Sequence, residues 1–91
     1  MFAVVVRESG DAAQISQSAD LVETRVAPQV RQAPGFVSAV WMTDGAGTTL
    51  NVLTFASEEA ARAALEAAGA APRPPYLKVD DVALFRVLAT A

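Results

Sequence analysis

The stretch from Pro34 to Arg62 constrains this chain more than any other, because it packs three elements and the turn signals joining them into one continuous run. Phe36 to Thr43 and Thr48 to Phe55 are two runs of β-forming residues around Asp44-Gly45-Ala46-Gly47. Glycine supplies positive φ there without steric cost, so the two runs read as a hairpin. Ser57 then offers an oxygen to cap a helix, Glu58 and Glu59 bring negative charge to its first turn, and Glu58, Arg62 and Glu66 are spaced for i,i+4 pairs. Gly69 reads as the stop. The inward face is Ala60, Ala61, Ala64, Leu65 and Ala68, nearly all small, which lets the helix approach a sheet closely.

The rest of the chain falls into place around this unit. Phe2 to Val6 is a short apolar run rich in β-branched residues and ended by Arg7-Glu8-Ser9-Gly10-Asp11, which reads as a strand covered on both faces. From Asp11 to Ala33 the spacing changes: Ile15, Ala19, Val22, Val26, Val30 and Ala33 recur every three or four residues, the mark of an amphipathic helix. Pro28 cannot donate to the Thr24 carbonyl, so a kink or break is expected there. Residues 70–75 carry three prolines and should run extended, and Val79 to Leu88 reads as the last strand. Strand, helix, strand, strand, helix, strand predicts one α+β domain over residues 1–91, ferredoxin-like βαββαβ, with a four-stranded antiparallel sheet and two helices on one face.

Two helices cover only one side of such a sheet, so its strands should alternate apolar and polar residues. They do not. Phe36, Val40 and Met42 share one phase of the hairpin while Val37, Ala39 and Trp41 share the other, and Leu50 and Val52 oppose Leu53 and Phe55. With 53% of 91 residues apolar, the surplus predicts a homodimer whose open faces pack together around a cavity, the sheets curving into a barrel.

Charge and composition exclude much. The net charge is −3 and the seven basic residues are scattered, so no stripe invites nucleic acid. There is no Cys and no His, which removes thiolate chemistry, the commonest general base and the commonest metal ligand. No metal or cofactor is expected. Phe2 to Val6 is too short for a membrane span or a signal core, so a soluble cytoplasmic protein is expected.

The element order, Ala-Pro-Gly-Phe-Val at 33 to 37 leading into a strand, and Leu-Thr-Phe-Ala-Ser-Glu-Glu-Ala at 53 to 60 leading into a helix resemble the dimeric α/β-barrel superfamily. More narrowly, they resemble small actinobacterial proteins grouped with antibiotic biosynthesis monooxygenases. The resemblance spans nearly the whole chain and implies fold more than activity, since that scaffold hosts cofactor-independent monooxygenases, haem-degrading enzymes, decarboxylases, isomerases and proteins with no known reaction. Its haem-degrading branch uses an iron-ligating His that this chain lacks. The same branch places an aromatic on the cavity wall just before the second helix, which implies that Phe55, with Leu53 and Asn51, faces the cavity. The quinone-forming branch uses Asn, Trp, Tyr and Arg side chains to hold a polyphenolic substrate that itself activates oxygen. Asn51, Trp41, Tyr76 and Arg86 are of those types.

Each candidate has a second reading. Asn51, an amide inside an apolar strand, either orients a substrate carbonyl or hydroxyl, or is satisfied by backbone or water at the dimer interface. Trp41 depends on turn parity: an even loop pairs it with an even-numbered residue such as Leu50 and buries it under the helices, whereas an odd loop puts it in the cavity beside Asn51. Tyr76 either overhangs the cavity mouth or packs its ring on the rim. Arg86 recognises an anion or points to solvent from an edge strand. Asp80 and Asp81 face opposite sides and make a poor metal pair. The function expected is small-molecule binding, ligated through Asn51, Phe55, Trp41 and Tyr76, as a monooxygenase-like enzyme acting on an aromatic or polyketide-type substrate. The alternative is a non-enzymatic ligand-binding or interaction protein.

Overall fold

In the computed structural model, which describes residues 1–91, β1 (Phe2–Gly10) runs antiparallel between β3 (Thr48–Phe55) and β4 (Leu77–Arg86). β2 (Phe36–Thr43) pairs with the far side of β3, giving the order β2-β3-β1-β4. Both edges of the sheet are therefore β2 and β4, and the apolar β1 is central. Pairing sets the faces: Val4 lies opposite Leu53 and Leu84, and Val6 opposite Asn51 and Val82.

The one long helix, α4 (Glu58–Ala70), follows the short helical segments described below and lies on the face that carries Val4 and Val6. Ser57 Oγ accepts from the Ala60 N–H at 3.2 Å, and Arg62 pairs with Glu58 at 2.8 Å, as the spacing predicts. Ala61 is fully buried against Val4, Val6 and Phe55, the centre of the core. Small side chains on α4 permit this close approach, and Gly35 permits it too. Gly35 has φ +75°, and a Cβ there would come within 2.8 Å of the Ala60 Cβ. Gly69 does not stop α4, which runs on to Ala70. Pro72 supplies the stop one residue later, because the residue before a proline is pushed out of the helical region, and Ala71 is extended at φ −64°, ψ 139°.

The arm between β1 and β2 is not one regular helix. It comprises α1 (Ala12–Ser16), α2 (Ala19–Leu21), a π-helical turn over Val22–Val26 and α3 (Ala27–Val30). The disturbance expected at Pro28 appears one turn earlier, as the wide turn in which the Ala27 N–H reaches back to the Val22 carbonyl. A widened turn makes room for the carbonyl that the proline ring would otherwise strike, which lets Pro28 sit in the first turn of α3. The helix ends at Val30 rather than Ala33.

Two bulges alter the phases read from the sequence. Between Phe36 and Ser38 the β2 register slips by one residue, so Phe36 lies opposite Phe55 and leaves the face of Val40 and Met42. The two rings meet edge to face, centroids 6.1 Å apart and planes at 79°. β4 slips beside Arg7 and Glu8 and leaves Asp80 out of the pairing; it starts at Leu77, opposite Gly10, and not at Val79. The opposite face of the sheet has no cover within the chain: Val40, Met42 and Phe85 are 49%, 43% and 56% exposed. No helix is long and apolar enough to cross a membrane.

Candidate ligand-binding cleft

The central cluster of Val4, Val6, Phe55 and Ala61 joins α4 to the sheet and has no packed neighbour from the arm over 12–30, of which Ile15 and Ala27 alone are buried. The arm stands off, and the gap beneath it is a cleft. Its apolar stripe, Val22, Val26 and Val30, forms one wall, and Trp41, Leu53 and Val6 of the sheet form the other. The cavity measures about 280 Å³. A second hollow of about 160 Å³ continues it toward the hairpin end, sharing Glu8, Ser18, Val22, Trp41, Asn51 and Leu77.

Turn chemistry brings Trp41 here. Asp44 Oδ1 accepts from the Ala46 and Thr48 N–H groups at 2.8 and 3.0 Å, bonds that hold its carboxyl below the ordinary value. The last hairpin pair is Thr43 with Thr49, leaving the five residues 44–48 outside it, and this odd count sets Trp41 directly opposite Asn51. Four residues separate the strands, yet the parity is odd because Thr48 has no partner in β2.

The cleft floor is polar and hydrogen-bonded within itself. Alternation continues along β1 past Val6, so Glu8 lands beside Asn51 and Thr49 on the helix-covered face. Glu8 Oε1 accepts from Asn51 Nδ2 at 2.7 Å and from Thr49 Oγ1 at 3.0 Å. Glu8 Oε2 accepts from Arg73 Nε at 2.9 Å. Arg73 arrives from the proline-rich segment, and its Nη1 also donates to the carbonyls of Ala68 and Ala71 at the end of α4, where helix carbonyls lack partners. The side chains of the pair are only 8% and 16% exposed. Three donors compensate the carboxylate for the water it loses at this depth.

Asn51, Trp41 and Tyr76 all line the cleft, Tyr76 at the proline-rich end, with its carbonyl accepting from the Asp11 N–H at 3.2 Å. Phe55 does not. It is 1% exposed at the core centre, under Ala61, because α4 packs directly over that end of β3. The cavity also lies on the helix side and not between open faces, so Asn51 meets Glu8 where a backbone or interface partner was expected. Arg86 is exposed at the end of the edge strand β4 and makes no ion pair. Asp80 approaches Lys78 at 3.7 Å, and no group of three or more acidic side chains gathers anywhere in the fold. Glu8, Thr49 and Arg73 were not singled out from the sequence; the even-numbered phase of Phe2, Val4 and Val6, extended two residues, points to Glu8.

No protein-family model matches the sequence, and no curated protein matches it by sequence comparison. Solved structures do. The haem-degrading protein MhuD of Mycobacterium tuberculosis, solved with two haems in its active site, superposes with a TM-score of 0.73 at 18% identity, over 100% of this chain and 99% of that one. The ActVA-Orf6 monooxygenase of Streptomyces coelicolor, solved with nanaomycin D, gives 0.63 at 21% identity over 99% and 89%. SnoaB of Streptomyces nogalater, a cofactor-independent oxygenase, gives 0.64 at 20% over 98% and 94%. At these identities the likeness is one of fold: the chain shares with these proteins a ferredoxin-like α+β fold, a four-stranded antiparallel sheet with helices on one face.

Proposed function

We propose that the cleft binds a small, flat, mostly apolar aromatic molecule and that the chain acts as a cofactor-independent monooxygenase-like protein. The observation that carries this is the cleft itself: apolar walls from the arm and the sheet, an indole face at Trp41, and a polar floor confined to one end. Such a site, apolar with a few placed polar groups, is what a small-molecule pocket requires. With no His and no Cys in the chain, the electrons for oxygenation come from the substrate. An anthrone-type methylene reacting with dioxygen becomes a carbonyl and releases water, so no external reductant enters the balance.

A second reading, a binder without turnover, is favoured by the state of Glu8. Its carboxylate already accepts three hydrogen bonds, which leaves one acceptor position and no neighbouring acid or base to work with it. Both readings carry a homodimer through the exposed face of Val40, Met42 and Phe85, since an uncovered apolar face of this kind marks an interaction surface.

Trp41 is the only tryptophan and serves as the reporter. Titration with anthrone- and hydroquinone-type compounds should quench its fluorescence saturably, and oxygen uptake is measured on the same solutions. Quenching with uptake supports the enzyme, quenching without uptake supports the binder, and no saturable quenching with any of the compounds refutes the cleft as a ligand site.

A further inference from the structure

We infer that Glu8 sets the ligand class of the cleft, by offering its one remaining acceptor position to a hydroxyl of the bound aromatic and repelling carboxylate-bearing analogues. The inference rests on the cleft being the ligand site and adds to it the group that selects the ligand.

A carboxylate offers about four acceptor positions. Asn51 and Thr49 occupy those of Oε1, and Arg73 occupies one on Oε2. Oε2 keeps one, on a side chain that lines both hollows of the cleft where they join. Everything around Glu8 donates. The position left over therefore suits a ligand donor, and a neutral aromatic of this size most simply carries one as a hydroxyl.

Charge decides against anionic ligands. Arg73 is the one basic residue lining the cleft; its Nε donates to Glu8 and its Nη1 to two carbonyls, so its charge is balanced by Glu8 and only Nη2 keeps free donors. A ligand carboxylate would bring a second negative charge to a site whose single cation already balances Glu8, and like charges at short range in a poorly hydrated site are costly. A buried ion pair is also weak evidence for stability, because apolar residues of the same volume commonly do as well. That leaves its place on the cleft floor to be accounted for, and ligand selection accounts for it.

Asn51 and Arg73 are then positioning residues. They hold the carboxylate still, and Asn51 makes only the one side-chain bond, to Glu8.

The test is a matched series of naphthol, its methyl ether and naphthoate, measured by calorimetry on the full chain. The methyl ether keeps the ring and removes the donor; naphthoate replaces it with a negative charge. Naphthol should bind about tenfold or more tighter than the ether, the effect of one hydrogen bond to a charged group, and naphthoate weakest of the three. Glu8→Gln should bring naphthol and the ether within about threefold, since a neutral acceptor gives a weaker bond. Because Glu8→Gln leaves Arg73 without its partner, Glu8→Gln with Arg73→Met repeats the measurement in a chain with no orphaned charge. Equal binding of naphthol and ether by the unsubstituted chain overturns the role of Glu8 while leaving the cleft as a binding site. Tighter binding of naphthoate also overturns it. A naphthol preference that persists in both variants assigns the hydroxyl to another group and overturns it as well. Failure of all three compounds to bind overturns the cleft reading beneath it.

Discussion

Replacing Arg73 by Met removes the cation from a pair whose side chains are 16% and 8% exposed, and keeps most of the volume of the stem. Three hydrogen bonds disappear: one to Glu8 and two to the carbonyls of Ala68 and Ala71. The carbonyls regain water at the end of α4, so their loss costs little. Glu8 cannot, and keeps only Asn51 and Thr49 as donors. Breaking a buried pair by removing one partner costs about 3–5 kcal/mol. Against the roughly 5–15 kcal/mol that holds a domain together, this is a large fraction. Added salt should not mimic the loss, because a pair this buried is poorly screened. The assay is equilibrium urea unfolding of the unsubstituted chain, Arg73→Met, Glu8→Gln and the double variant. Each single variant should shift the midpoint strongly at constant m-value, and the double variant should be more stable than the sum of the singles by about 1–3 kcal/mol. An Arg73→Met loss below about 1 kcal/mol, or singles that add to within about 0.5 kcal/mol, refutes the pair as a buried, coupled unit.

Two further outcomes follow from features outside the cleft. Phe85→Lys places a charge on the exposed apolar face, at its β4 edge, and should convert a dimer to a 9.5 kDa monomer in sedimentation equilibrium at micromolar concentration; an unsubstituted chain that already sediments as a monomer there defeats the dimer. Asp44 has its carboxyl lowered from an ordinary 3.8 by the Ala46 and Thr48 N–H groups. Its contribution to stability is therefore complete above that ordinary value and is lost as pH falls through the lowered one, and Asp44→Asn should flatten this acid limb of the stability curve. An unchanged limb means the turn carboxylate is not the group titrating.

The order of elements, the hairpin and the Ser57 cap were legible in the sequence because each is local: turn residues, phase and capping act over a few positions. The misplaced features are those set by contacts at a distance. The bulge at Val37 adds one residue that no local signal announces, and it carries Phe36 to the other face. Glu8 read as the end of a strand because a charge usually marks one; what keeps it inside is Arg73, sixty-five residues away. The cavity was assigned to the open face from apolar phases alone. Those phases cannot show that the arm, widened over Val22–Val26 ahead of Pro28, stays clear of the cluster around Val4 and Phe55. Phe55 follows from the same cause, since the end of β3 under α4 is packed and only the end under the arm is hollow.

Thr48, which has a partner in β1 but none in β2, makes the hairpin turn a determinant of a different kind from the side chains it serves. Composition in the turn is held at Gly45 and Gly47, whose φ values are +76° and +102°, and at Asp44, which accepts two turn N–H groups, while substitution at Ala46 leaves the pairing of Trp41 with Asn51 in place. Losing or gaining one residue there cannot be absorbed in the same way: with β3 held between β1 and β2, the edge strand would have to turn over, sending Trp41 outward and bringing Val40 and Met42 into the cleft. Length variation in a solvent-exposed loop would thus rewrite the lining of a site that the loop does not touch.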